Sequence, residues 1–293
     1  MAEAKVILAS APPWSIELAK LLASESGRRD EIPLRRSFVR NDDPTVEPPL
    51  ARLISAGGRG GQVPLKLYLA LIWRCSGEPF KTDILARQWA ALLGLDEPNT
   101  LGARRVTRAL DVLADLRLVT LEKRRGESTL ITLREESGLD ARYTLPSTAY
   151  AKASGPEQAA PHLYFKIPLK LWTEGHIQSM SAAALAMLLI LLAERNVDGR
   201  RTWWSTERFP SLFNLSPAIR SQGTTELELR FLVDVRRESV TSSTSPTFSR
   251  ERVRNTYRLI GDARPAAMVD AEAKARAERA KSARKKRLVK TAK

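Results

Sequence analysis

The chain has 293 residues, 43% of them hydrophobic, with 48 Lys and Arg against 33 Asp and Glu, for a formal charge of +15. That length and apolar content suffice for one or two buried cores, and no apolar run reaches the roughly 18 residues needed to span a bilayer. The lone cysteine, Cys75, excludes an internal disulfide and fits a reducing cytoplasm. His162 and His176 have no Cys, His or carboxylate at ligand spacing, so neither a metal site nor a cofactor is expected.

Residues 1–50 read as an N-terminal extension and linker. Lys5 precedes an apolar run, Val6 to Ala11, too short for a signal peptide. Trp14, Leu18, Leu21 and Leu22 have helical spacing after Pro12 and Pro13, whereas Arg28 to Pro49 is rich in proline and charge. The run Gly57-Gly58-Arg59-Gly60-Gly61 lacks the Lys-Ser/Thr of a phosphate-binding P-loop and reads as a hinge.

A first domain is expected over 51–142. Pro64 suits a first helical turn, and Leu65, Leu69, Ile72 and Trp73 follow on one apolar face. Thr82 or Asp83 is the expected cap of a second helix, with Ile84, Leu85, Trp89, Leu92 and Leu93 toward the core. A third helix, from about Asn99 to Leu116, buries Val106, Ala109, Leu110 and Leu113 and leaves Arg104, Thr107, Arg108 and Asp111 outward. Strands at Leu118 to Lys123 and Ser128 to Leu133 are joined by a tip that carries Arg124 and Arg125.

Residues 143–161, rich in Pro, Ser and Ala, read as a linker to a second domain over 162–262. There a short strand at Tyr164 to Pro168 and a small helix near Leu169 to Trp172 precede an apolar helix capped by Ser181. Trp203 and Trp204 begin a strand or turn, with one ring in the core and the other partly exposed, while Trp73 and Trp89 are expected in the core. After a helix with Phe209, Leu212, Phe213 and Leu215, Ser216-Pro217 marks a third helix start. Ile219, Gly223 and Leu227 face inward there, leaving Arg220, Ser221, Thr224, Thr225 and Glu228 on the outer or flanking surface. In the last strand, alternation sets Arg250, Arg252 and Arg254 on one side as a phosphate-facing ladder, with Val253, Tyr257 and Leu259 on the other.

The two third helices end alike. Ala109, Leu113, Leu118 and Val119 recur 114 positions later as Gly223, Leu227, Leu232 and Val233, each set running into a strand, a polar turn and a second strand. A helix feeding a two-stranded wing is the DNA-reading end of a winged helix-turn-helix. The expected fold is therefore α+β, mainly α, with two such domains in tandem and a basic tail over 263–293. Ten of the basic residues, Lys285, Lys286 and Arg287 among them, fall in the last 23 positions against only Glu272 and Glu278. Without an aromatic residue this tail reads as an arm that holds phosphates nonspecifically.

The stretches LKLYLALIW and ARQWAALLGL in the first unit carry a resemblance to tandem winged-helix proteins of GC-rich bacteria. So do YFKIPLKLWTEG, SAAALAMLLILL, FNLSPAIRSQGTTELELRFLVDVRR and RVRNTYRL in the second, and the layout is similar to that of plasmid replication initiators. The resemblance implies fold and DNA binding and leaves the process open.

Catalysis has little support, because there is no Gly-x-Ser-x-Gly or kinase-like set and Cys75 ends an apolar helix as a small buried residue. The expectation is a non-enzymatic, cytoplasmic, nucleoid-associated binder of double-stranded DNA that acts as a transcriptional regulator. A replication initiator of a mobile element and a protein-docking module are the alternatives, and a homodimer or a replication or transcription partner is compatible with each. The expected DNA-binding residues are Arg104, Arg105, Thr107, Arg108, Arg124, Arg125, Arg220, Ser221, Thr224, Thr225, Arg250, Arg252, Arg254, Lys285, Lys286 and Arg287.

Overall fold

Proline's fixed φ and missing N–H suit a first helical turn, and Pro13 opens α1 (Pro13–Glu25) in that way. The computed structural model describes residues 8–27, 30–41, 43, 45–56, 61–123, 125, 127–195, 200–240, 252–271 and 273. The fold is α+β, about half helical, with three small antiparallel sheets among the described residues. After α1 come β1 (Glu31–Arg35) and α2 (Pro49–Ala56). Arg59 and its neighbours 57, 58 and 60 lie outside the described residues.

The first unit holds α3 (Gln62–Arg74), β2 (Lys81–Thr82), α4 (Ala86–Leu92), α5 (Ala103–Asp115), β3 (Val119–Glu122) and β4 (Leu130–Leu133). Its sheet has the order β2-β4-β3, so the last strand lies between the other two. Thr82 is in β2 rather than at a helix cap. Leu85 is the residue before α4, and its backbone N–H donates to the Gln88 side chain at 3.1 Å. A π-helical turn, Pro98–Gly102, leads into α5.

Residues 143–161, expected to be a linker, carry α6 (Pro146–Lys152) and α7 (Pro156–Ala159). Then follow β5 (Tyr164–Pro168), α8 (Lys170–Thr173), α9 (His176–Ser179), α10 (Ala182–Ala193), α11 (Arg208–Phe213), α12 (Pro217–Leu229), β6 (Val233–Val240) and β7 (Arg252–Leu259). Ser181 and Ser216 are the caps of α10 and α12, accepting from Ala184 N at 3.1 Å and Ile219 N at 3.3 Å. Thr202 bridges Tyr257 of β7, so β7 also lies between an earlier strand position and β6.

The 114-residue repeat is geometric as well as sequential. Helices α5 and α12 have bounds 114 apart, and each ends at a left-handed residue, Arg117 (φ 57) and Phe231 (φ 56). In both, the next residue reaches back five positions: Leu118 N–H to Leu113 O and Leu232 N–H to Leu227 O, each 3.0 Å. Identical closures set the same exit direction from helix to strand.

The two units are not tethered by open chain. Buried apolar residues of both units and of the extension form one cluster, in which α3 and α10 are covered on nearly every side. Trp73 of α3 meets Trp172 of α8 at 5.7 Å between ring centroids. The extension acts as mortar: β1 pairs antiparallel with β5, Phe38 stacks on Tyr68 at 5.1 Å, and Arg36 and Arg40 both reach Glu194. The stretch 28–49, read as linker from its prolines and charges, thus includes a strand whose partner lies more than 120 residues away.

Candidate nucleic-acid interface

On α5 the apolar positions Val106, Ala109, Leu110 and Leu113 are buried, and the same 100° per residue carries Arg104, Arg105, Thr107 and Arg108 to the exposed face. None of the three arginines has an ion-pair partner among the described residues. The Thr107 hydroxyl donates to Ala103 O at 3.1 Å and keeps its lone pairs outward. Asp111 meets Lys123 of the adjoining hairpin at 3.4 Å, an exposed pair. Arg125 at the hairpin tip is exposed, and Arg124 lies outside the described residues.

The second unit departs from expectation at Arg220 and Thr224. The repeat places Arg220 where the first unit has buried Val106, and Thr224 where it has buried Leu110. Both therefore lie on the packed side of α12. The Arg220 guanidinium lies 5.1 Å from the Phe209 ring centroid, 5.5 Å from that of Tyr257 and 5.9 Å from that of Trp204. It donates from Nε to the Tyr257 hydroxyl at 3.1 Å and from Nη2 to Trp204 O at 3.2 Å. Thr224 is 7% exposed, and its Oγ1 has no hydrogen-bond partner. Ser221 and Thr225 are exposed, as expected.

Of the expected arginine ladder, the side chain of Arg254 is described, and it faces an acid. Register sets Arg254 opposite Glu238 and Arg258 opposite Asp234, and Arg254 Nη2 is 3.5 Å from Glu238 Oε2. Alternation along β7 alone could not reveal acids on β6. Arg252 lies on β7, whereas Arg250 and the tail residues Lys285, Lys286 and Arg287 lie outside the described residues. Val253, expected inward, is 60% exposed.

Arg201, which sequence reading gave no role, anchors this hairpin. Its Nη1 donates to Asp234 Oδ2 at 2.8 Å, a bond that holds the Asp234 carboxyl below the usual range, and its Nε donates to Thr256 Oγ1 at 2.8 Å. No local signal marks it, since its partners lie 33 and 55 residues away.

Between α12, Trp203 and the β6–β7 hairpin runs a groove of about 760 Å³ that brings together Arg220, Ser221, Thr224, Thr225 and Arg254. Trp203 is 48% exposed at its edge, with the Arg254 guanidinium 4.5 Å from its ring centroid, while Trp204 is 5% exposed. Burial, then Asp234, push the Glu228 carboxyl in this groove upward.

Lys66 of α3 is buried and donates from Nζ to Gln178 O at 2.6 Å, joining the two units. Burial pushes its ammonium down from 10.5 to about 7; Glu226 pulls it back up, and Arg230 and Arg105 add to the lowering. Between those two values the unfolded chain holds one proton more than the folded chain, so stability rises with pH. The urea midpoint is expected to climb from pH 7 to 9.5, and Lys66→Met is expected to flatten that climb. An equal slope in the variant would assign the pH dependence elsewhere.

His176 Nε2 lies 3.2 Å from Asp262, and the described residues contain no group of three or more potential metal ligands. No described helix is long and apolar enough to cross a membrane. No family model, curated protein or solved structure matches the chain.

Proposed function

We propose that the chain binds double-stranded DNA through two winged helix-turn-helix units and acts as a transcriptional regulator. The observation that carries this reading is the pairing of a repeated layout of three helices and a hairpin with a helix, α5, whose exposed face presents three arginines without ion-pair partners among the described residues. An arginine on such a face has the reach to bind a guanine edge in two places or to neutralise a phosphate. The first unit is then the main reader.

A second reading applies to the second unit alone. Of the α12 positions that match the α5 arginines, Ala218 and Gln222 are exposed and Ile219 is half-buried against the core, and Leu229 and Phe231 nearby are 41% and 78% exposed. A face without cations favours protein docking over phosphate contact.

Selection of bound duplexes, followed by titration and footprinting with the full chain, tests both readings. Arg104→Ala and Arg108→Ala are each expected to cost roughly 1–3 kcal/mol on the selected site if they read bases, relaxing preference at one position apiece. Equal losses on selected and random duplex would assign them to phosphates, and no loss on either would remove α5 from the interface. Ser221→Asp with Thr225→Asp should shorten the footprint if α12 reads DNA and leave it whole if the second unit docks a protein.

A further inference from the structure

We propose that the cleft between α1 and α4 binds a small apolar monocarboxylic acid. The cleft has a volume of about 390 Å³, within the roughly 300–1,000 Å³ of small-molecule sites. Leu18 and Leu22 of α1 form one wall and Ile84, Leu92 and Pro98 the other, so the body of an occupant meets hydrocarbon. Arg74 and Arg87 supply two guanidinium groups, and among the described residues no carboxylate lines the cleft.

Two buried donors of the lining residues lack an acceptor among the described residues. Arg74 is half-buried and donates from Nη1 to Leu22 O at 3.2 Å, while its buried Nε has no partner. Trp89, also in the lining, is 1% exposed, and its Nε1 has no partner either. A buried N–H without an acceptor is costly, and an isolated apolar ligand would leave both unpaired. An occupant with acceptor oxygens and one negative charge on a hydrocarbon or aryl body matches the wall, the donors and the charge together.

Place in the fold gives the site a consequence. The lining continues through Pro98 and Asn99, the turn that leads into α5, and α4 packs directly on α5. An acid held between α1 and α4 fixes the start of α5 and changes duplex affinity. That coupling rests on the reading of α5 as a DNA-reading helix, whereas binding of the acid does not.

The test uses the full chain, thermal melting and calorimetric titration, with 3-phenylpropionate and decanoate as probes and the alcohols of the same carbon skeletons as neutral controls. At a hundredfold excess over Kd, one of the acids is expected to raise the melting temperature by about 4–8 °C, with its alcohol binding at least tenfold more weakly. Leu18→Trp, which fills the cleft from α1, should abolish binding while the variant still melts cooperatively. Arg74→Met should weaken the acid tenfold or more and leave the alcohol unchanged. No shift with either acid, an alcohol as tight as its acid, or undiminished binding to Leu18→Trp would each overturn the site. Binding of the acid without a change in duplex affinity would overturn the coupling alone. Binding of the acid by a chain that takes no duplex would leave the site standing and sink the DNA reading.

Discussion

Gly223→Ala is expected to destabilise the protein by about 3 kcal/mol, although alanine is the better helix former by about 1 kcal/mol. Gly223 sits in the middle of α12 against α10, where an added Cβ would lie 2.3 Å from Ala183 O and 2.7 Å from Met187 Cγ. The first of those atoms is backbone inside a fully packed helix, so relief requires the two helices to separate. At the equivalent position of the first unit, Ala109 is itself buried in a helix pair that has room for its methyl group. Ala109→Gly should therefore cost only about 1 kcal/mol. Urea unfolding of the two variants checks the contrast. Near-equal, small losses would mean that α10 and α12 yield easily and that their close approach does not fix the second unit.

The parts of this architecture legible in the sequence are those set by neighbours along the chain. Ser181 and Ser216-Pro217 announce α10 and α12 because a cap and a first-turn proline act within four residues. The outward face of α5 follows from Val106, Ala109, Leu110 and Leu113, whose spacing leaves the arginines one side. What escaped was decided by distant partners. The prolines and charges near β1 look like linker until β5 supplies a pairing edge. Arg220 reads as surface because arginine usually is, yet three aromatic rings offer its guanidinium a seat in a position the repeat gives to valine. Arg254 on β7 reads as phosphate-facing until register brings Glu238 across from it. The helix repeat was visible, but the extension that welds the two copies was not, since its contacts skip from one unit to the other.

That weld makes the second large effect. Arg35 and Glu136 are both fully buried, joined side chain to side chain, and Arg35 Nη2 also donates to Thr144 O at 2.9 Å and to Thr144 Oγ1 at 2.7 Å. Arg35 belongs to the strand paired with β5, while Glu136 and Thr144 follow the hairpin of the first unit, so one guanidinium fastens three segments. Burial pushes the Glu136 carboxyl up to about 7 against the pull of Arg35, a sign of how poorly the site tolerates charge without a partner. Arg35→Ala removes that partner and is expected to cost about 3–5 kcal/mol. Stripping both charges is a different experiment. Arg35→Met with Glu136→Leu leaves no ion to desolvate, and it is expected to recover most of the loss, because a well-packed apolar replacement of a buried pair is often neutral or stabilising. Equilibrium unfolding of the wild type, Arg35→Met, Glu136→Leu and the double variant measures the coupling directly. If the double variant is as unstable as Arg35→Ala, the contribution comes instead from the bonds to Thr144, and Thr144→Val should then reproduce most of the deficit.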